Sequence, residues 1–204
     1  CRLAVRNLDL FLKVRRRKSL RRTRTHKRIL GQSIQQRPEA VLTRDEFGHW
    51  EIDTVVGRRS QDEALLTLTE RKTRQELLIR LPRKDSEAVQ EAMKALQQRA
   101  GSKFGNIFRS ITADNGSEFA DLSMLASPWN CQVYFSHPYS SWERGSNGRH
   151  NGLVRRFIPK SKSIREVSEI LIQKTQQWCN QLPRKILRYK SPQECFLQEL
   201  SALT

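Results

Sequence analysis

The sequence predicts an α/β protein with a mixed five-stranded sheet, elements in the order βββαβαβα and flanking helices. Three observations indicate this class. Runs with strand periodicity fill residues 47–81, a helical stripe occupies residues 85–101, and strand and helix patterns then alternate as far as residue 180. Three strands in a meander followed by such alternation are typical of a sheet that is antiparallel on one side and parallel on the other.

The first three strands follow from short apolar runs. Residues 49–57 (HWEIDTVVG) alternate so that Trp50 lies on one face of a strand and Asp53 on the other. Residues 64–69 (ALLTLT) and 76–81 (ELLIRL) are two further strand-like runs, and the polar RKTRQ between them favours a turn. We therefore expect an antiparallel meander.

One helix is strongly indicated after the meander. Asp85 is a favourable N-cap, apolar residues recur at spacings of three and four from Ala88 to Leu96, and Gly101 provides a stop. Residues 108–113 (FRSITA) then predict a fourth strand that ends just before Asp114.

The remaining elements alternate. They are a short helical stretch at residues 118–125, a fifth strand at 132–136 (QVYFS), and helices at 146–157 and 164–180. The four cysteines include no CxxC pair, so neither a zinc finger nor a disulfide framework is indicated.

Charge divides the chain into two parts. The net charge of the protein is +17, and residues 1–38 contain one acid, Asp9, among many basic residues. This excess favours nucleic acid as partner. We predict a DNA-contacting arm or linker at residues 1–38 and a folded domain at 39–204, whereas a solvated disordered tail is the alternative for the arm. The arm residues expected to contact DNA are Arg15, Arg16, Arg17, Lys18, Arg21, Arg22, Arg24, Lys27 and Arg28.

Two further expectations concern the whole chain. No apolar stretch is long enough for a membrane span or a secretory signal, so we expect a soluble protein with no membrane partner. The chain begins with Cys1 instead of Met, which suggests that it is a part of a longer protein.

Asp53 and Asp114 are the candidate metal ligands. In the predicted sheet the first strand lies next to the fourth, so the two side chains would converge. Converging carboxylates in a basic protein can hold divalent cations that bridge phosphate oxygens. Each residue also has a simpler interpretation, because Asp53 could be an exposed strand residue and Asp114 could form a turn ahead of Asn115 and Gly116.

Several ordered motifs point to one family. Residues 48–57 (GHWEIDTVVG), 111–120 (ITADNGSEFA), 135–147 (FSHPYSSWERGSN) and 151–160 (NGLVRRFIPK) closely resemble transposases of the insertion-sequence family numbered thirty. Residues 182–196 resemble the closing motif of that family, so the resemblance extends over most of the chain.

The resemblance has specific implications. It implies a ribonuclease H-like fold of the retroviral integrase type and a DDE triad that cuts and joins DNA at transposon ends. The implied cofactor is Mg²⁺ in a two-metal site, with Mn²⁺ as a substitute. The implied partners are double-stranded DNA, as transposon ends and target, and further copies in a homodimer or higher oligomer. The implied location is the bacterial cytoplasm, in association with the nucleoid.

The third acid of the family falls on Gly148. The first two acids of the triad match Asp53 and Asp114, but the Glu that follows the Asn of the third motif is replaced by glycine, and Arg149 also departs from the pattern. We therefore expect impaired catalysis. Glu143 is a possible substitute, although five helical residues separate the two positions by about 140° around the axis. The alternative for Glu143 is an exposed acid near a helix N-terminus.

Basic residues also cluster around this third motif, with Tyr139 and Trp142 between them, and a solvated helix face is the alternative to DNA contact. The cluster consists of Arg144, Arg149, Arg155, Arg156, Lys160 and Lys162.

Three further residues are weaker candidates. Glu51 lies on the same strand face as Asp53 and could bind a metal, but strand acids in pairs are more often solvated or paired with a basic neighbour. His137 and His150 could contact DNA or a metal, but a lone histidine is more often a hydrogen-bonded structural residue. The alternative to a transposase enzyme is a catalytically inactive DNA-binding or assembly protein derived from one. A ribonuclease acting on RNA–DNA hybrids fits the fold but not the motifs.

Overall fold

The computed structural model of the protein describes residues 29–58, 62–125, 129–138, 140–145 and 147–203. The arm residues expected to contact DNA, from Arg15 to Arg28, lie outside the described residues, as does Tyr139.

Six strands form one mixed sheet in the described part of the chain. Their order across the sheet is β1-β6-β5-β2-β3-β4. The meander β2-β3-β4 is antiparallel, whereas β5 pairs in parallel with β2 and β6. The strands are β1 (Gln32–Ser33), β2 (His49–Val56), β3 (Ala64–Glu70), β4 (Glu76–Leu81), β5 (Ser110–Ala113) and β6 (Gln132–Phe135).

The five predicted strands are therefore confirmed, but the predicted strand number is wrong. The additional strand β1 pairs in parallel with β6 through Gln32↔Tyr134 and Ser33↔Phe135. Two residues are too few to show a period of two, so the sequence carries no signal for this strand. The position of β1 places part of the predicted arm, residues 32–33, in the sheet, while the boundary at residue 38 stays a prediction.

The helices surround this sheet. The Asp85 carboxylate caps the predicted helix by accepting a hydrogen bond from the Ala88 amide at 2.9 Å. The two later helices are shorter or shifted relative to the expected ranges 146–157 and 164–180. The helices are α1 (Glu39–Thr43), α2 (Ser86–Ala100), α3 (Phe104–Ile107), α4 (Asn147–Val154), α5 (Glu169–Gln181) and α6 (Pro192–Ser201).

The helical stretch expected at residues 118–125 is instead two 3₁₀ turns, Ser117–Phe119 and Leu122–Leu125. The Phe119 amide bonds to the Gly116 carbonyl, a three-residue spacing that is typical of 3₁₀ geometry. Among the described residues, no helix combines the length and the apolar character needed to cross a bilayer.

The sheet has two differently packed faces. On the α2 face, Trp50 and Ile52 pack with Met93 of α2, and the Trp50 ring stacks on Phe108 with centroids 4.7 Å apart. On the α4 face, Val55 packs against Val154 of α4. The alternation predicted for residues 49–57 therefore directs Asp53, like Val55, to the α4 face.

Candidate active site

The parallel pairing of β2 with β5 brings the two candidate acids together. Its register is His49↔Ser110, Trp50↔Ile111 and Glu51↔Thr112. The same register continued by two residues places Asp53 beside Asp114, which directly follows the end of β5. Because neighbouring strands lie about 4.8 Å apart, both acids belong to one site.

Backbone and side-chain donors orient the two carboxylates. Asp53 Oδ1 accepts a hydrogen bond from the Thr54 amide at 2.8 Å, and Asp53 Oδ2 accepts one from Asn151 Nδ2 at 2.9 Å. Asp114 Oδ1 accepts a hydrogen bond from the Gly116 amide at 2.9 Å. The side chains of Asp53 and Asp114 are 17% and 36% exposed, so a ligand can reach them from solvent.

The guanidinium of Arg144 lies between these acids. Its Nη1 is 3.4 Å from Asp53 Oδ2, and its Nη2 is 3.4 Å from Asp114 Oδ2. The Arg144 side chain is only 7% exposed, and among the described residues its buried Nε has no hydrogen-bond partner. The residue was expected to contact DNA, and that role stays a prediction. In this structure Arg144 supplies the positive charge between the two carboxylates.

Burial shifts the pKa of one acid. Burial raises the pKa of the Asp114 carboxyl, Arg144 lowers this pKa, and the charge of Asp53 raises it further. The net direction is upward, and a nearby cation favours the ionised form of Asp114.

Gly148 lies in the first turn of α4, three residues before Asn151. Residues three apart share one face of a helix, so position 148 shares the face that contacts Asp53. A Cβ atom at Gly148 would meet nothing within 4 Å. A longer side chain there has room, but the glycine supplies no ligand. Among the described residues, no group of three or more His, Cys, Asp or Glu side chains could hold a metal ion.

Both carboxylate oxygens of Glu143 are paired with His137. Its Oε2 accepts a hydrogen bond from the His137 amide at 2.8 Å, and its Oε1 lies 2.8 Å from His137 Nδ1. His150 likewise pairs with the buried Glu76, with 2.7 Å between His150 Nδ1 and Glu76 Oε2. Both histidines therefore make structural hydrogen bonds, and Glu143 as a substitute for the third acid stays a prediction.

The other basic residues of the predicted cluster differ in exposure. Arg155 donates from Nη2 to the Val56 carbonyl at 2.7 Å and is half-buried, whereas Arg149, Arg156 and Lys160 are exposed. Arg149 is two residues from Asn151, which places it about 160° away around α4. DNA contact stays a prediction for all four residues.

Two contributors to the site were not predicted from the sequence. Asn151 donates to Asp53 and accepts a hydrogen bond from Thr67 Oγ1 at 3.3 Å, so it links β2, β3 and α4. Glu118 lies near Asp114, but its Oε1 accepts a hydrogen bond from Thr54 Oγ1 at 2.8 Å and is 2.9 Å from Lys84 Nζ. Asn151 begins the motif at residues 151–160, yet its type and spacing alone do not indicate this contact.

Comparison with known proteins gives consistent results. Residues 44–141 match the family model described as integrase core domain. The chain is 40% identical over 195 residues to a probable transposase for insertion-like sequence element IS1161 of Streptococcus salivarius, covering 95% of this chain and 54% of that protein. It is 33% identical over 190 residues to transposase InsI for insertion sequence element IS30A of Escherichia coli strain K12, covering 89% and 48%. The chain thus spans about half the length of the curated relatives it matches.

Two solved structures illustrate the fold similarity. The catalytic core domain of BIV integrase aligns with a TM-score of 0.57 at 14% identity, covering 77% of this chain and 98% of that one. A chain of the simian T-cell lymphotropic virus intasome in complex with PP2A regulatory subunit B56 gamma aligns with a TM-score of 0.58 at 16% identity, covering 72% and 53%. The predicted ribonuclease H-like fold of the retroviral integrase type is confirmed.

Proposed function

Because the chain belongs to the IS30 family of DDE transposases, we propose that it is the catalytic domain for metal-dependent cleavage and strand transfer of transposon-end DNA, impaired by glycine at position 148. One observation carries this proposal. Asp53 and Asp114 lie side by side on neighbouring parallel strands, and the helix face that contacts Asp53 also contains Gly148.

The carboxylate oxygens at this site suit one divalent cation. Asp53 and Asp114 would hold it, and the guanidinium of Arg144, which lies 3.4 Å from both, supports a cation position between them. Bound Mg²⁺, or Mn²⁺ in its place, would stabilise charge during in-line displacement at phosphorus. A second ion of a two-metal site would lack the carboxylate of position 148. The Thr54 and Gly116 amides and Asn151 keep the carboxylate oxygens oriented toward the shared position.

The proposed partners are double-stranded DNA, as transposon ends and target, and further copies of the chain in a dimer or higher oligomer. The net charge of +17 and its concentration in residues 1–38 support DNA binding. The proposed site of action is the cytoplasm of a bacterium, at the nucleoid.

Restoring the third carboxylate tests the catalytic proposal. We expect Gly148→Glu to increase Mg²⁺- or Mn²⁺-dependent joining of a labelled transposon-end duplex to plasmid DNA by roughly 10²–10³-fold, since one well-placed electrostatic group contributes about this much. Calorimetry should also detect tighter Mn²⁺ binding by the variant, independently of turnover.

Gly152→Glu is the matched control. Gly152 is also exposed, lies on α4, and has nothing within 4 Å of its Cβ position. The substitution adds the same charge one turn further along the helix, and we expect no gain in joining. If the parent chain is fully active and Glu143→Gln abolishes that activity, Glu143 is the third acid and the assignment of position 148 is wrong.

The second candidate function is DNA binding and assembly without chemistry. Gly148 favours it, as does Arg144, which already places a positive charge between the two aspartates. This function predicts DNA binding in EDTA that is unaffected by Asp53→Asn, together with no joining by the parent chain in either metal.

A further inference from the structure

A basic cavity of about 390 Å³ lies on the side of α4 away from Asn151. Its walls come from α4, from the turn at Gly145, and from residues 183–186 after α5. The volume is within the range of small-ligand sites. None of its described lining residues is acidic, and six are cationic: Arg44, Arg74, Arg149, Arg156, Arg184 and Lys185.

Most of these cations lack an opposite charge. Among the described residues, no salt bridge is formed by five of the six, namely Arg44, Arg149, Arg156, Arg184 and Lys185, whereas Arg74 does interact with another group. Arg184 donates from Nη2 to the Cys179 carbonyl at 3.0 Å, while its buried Nε has no partner among them. The carboxylate of Glu76, which lies behind the cavity residue His150, is already paired with that ring at 2.7 Å.

The cations also repel one another. The pKa of Arg74 is lowered to about 10, first by burial and then by the charge of Arg44, while Glu51 opposes the change. Burial lowers the pKa of Arg184, and the charge of Arg149 acts in the same direction, whereas Cys179 and Glu76 oppose it. Like charges gathered in one cavity favour an anion that neutralises them.

The cavity is next to the acid pair along the chain. Gly145, which has a φ of 65°, directly follows Arg144 and lines the cavity. Arg44 Nη2 lies 2.8 Å from the position that a Cβ of Gly145 would occupy, so the missing side chain admits this guanidinium. A helix with its side chains is about 10 Å across, so the cavity and the acid pair on opposite sides of α4 are separated by a distance on the order of 10 Å.

We propose that this cavity binds a backbone phosphate of the same DNA whose reacting phosphodiester lies at Asp53 and Asp114. Arginine forks suit phosphate oxygens in geometry and charge. The inference rests on the proposed function and adds Arg44, Arg74, Arg184 and Lys185 to the residues expected to contact DNA.

The test is a fluorescence anisotropy titration of the full chain with a labelled duplex in EDTA, at several salt concentrations. The variant is Arg149→Ala/Lys185→Ala, in which both changed residues are exposed. We expect the dissociation constant to rise about tenfold at low salt. The slope of log affinity against log salt should become shallower by about 0.9 for each phosphate that the variant no longer neutralises.

Lys94→Ala/Arg99→Ala is the matched control, because it removes two exposed charges from α2, on the other face of the sheet. Equal losses in both double variants would indicate diffuse attraction and overturn the proposal. The proposal would also be overturned, in favour of an acidic protein partner, if the cavity variant alone lost affinity for a labelled polyglutamate peptide while its DNA affinity stayed unchanged. Because EDTA prevents chemistry, failure of strand transfer in the joining assay leaves this result unaffected.

Discussion

The α2 face and the α4 face of the sheet are both buried, but they bury different chemistry. The α2 face is covered by apolar side chains such as Trp50 and Met93, which have no exposed surface. The α4 face combines an apolar cluster around Val55 with acidic and basic side chains. There Glu51, buried in the sheet, pairs with Arg71.

This difference separates stability from chemistry. On the α2 face each side chain contributes through the apolar area that it removes from water. On the α4 face each charge depends on a partner, because removal of one member leaves an uncompensated charge in a poorly solvated place. Asp53 and Asp114 are more exposed than the Glu51–Arg71 pair, so a ligand from solvent can reach and rearrange the group that they form with Arg144.

Among changes at the acid pair, the largest effect is expected from Arg144→Gln. The change leaves two neighbouring carboxylates without their cation, so the free energy of unfolding should fall by about 3 kcal/mol. Added Mn²⁺ should recover more stability in this variant than in the parent chain, because the ion then supplies the charge that the guanidinium supplied. Urea denaturation with and without MnCl₂ measures both quantities.

Met93→Ala provides the comparison on the α2 face. Met93 is fully buried against the sheet, and its truncation should cost about 2–5 kcal/mol because apolar burial is reduced and a cavity forms. The stabilisation by Mn²⁺ should remain that of the parent chain. Equal responses to Mn²⁺ in both variants would mean that Arg144 and the ion do not share a position.

A smaller effect is expected from Asn151→Ala. The variant loses the hydrogen bond to Asp53 Oδ2, so unfolding free energy should fall by about 1 kcal/mol. Mn²⁺ affinity should also fall, because Asp53 is no longer oriented. Calorimetric titration measures this affinity.

Asn180→Ala is the control for that experiment. Asn180 is a buried asparagine of α5 that bonds to the backbone of Glu76 at 2.8 Å through both its Oδ1 and its Nδ2. Its loss should reduce stability without changing Mn²⁺ affinity. A weaker affinity in this variant too would attribute the effect of Asn151 to general loosening of the α4 face.

The smallest expected effect is a pH dependence from His49, also on the α4 face. Burial lowers the pKa of this imidazole below its ordinary 6.5, although the hydrogen bond to Glu46 opposes the change. A lowered pKa means that the unfolded chain binds the proton more readily, so this contribution to stability is complete above pH 6.5 and is lost as the pH falls below it. Thermal unfolding of His49→Asn should show a weaker decline over the same interval, and an unchanged decline would assign it to another group.

The sequence predicts the fold because its signals are local. Alternation in residues 49–57 and the cap at Asp85 are contained in single elements, and both correspond to observed structure. The partners of Asp53 are different in kind. Asn151 lies 98 positions away along the chain, and neither its residue type nor its spacing reveals the contact. The same limit explains why the sequence pattern groups Arg144 with the exposed basic residues.

Helix α4 shows a second limit. The range expected for it was 146–157, but the helix ends at Val154, where the Phe157 and Ile158 amides both bond to the Val154 carbonyl. Gly148 and Gly152 lower the helix propensity of the segment, so its length depends on packing against the sheet. Residue pattern alone does not determine such an end.

The open space around Gly148 has an evolutionary consequence. The spacing of Asp53 and Asp114 is fixed by strand pairing, so a drifting sequence that disturbed it would also damage the sheet. Position 148 touches nothing within 4 Å of a Cβ atom, and exchange of a glutamate for glycine there costs only about 1 kcal/mol of helix propensity. Selection for a folded protein hardly registers such an exchange. On the proposed assignment of position 148, a lineage can lose the third acid, or regain it, by one substitution that leaves the fold intact.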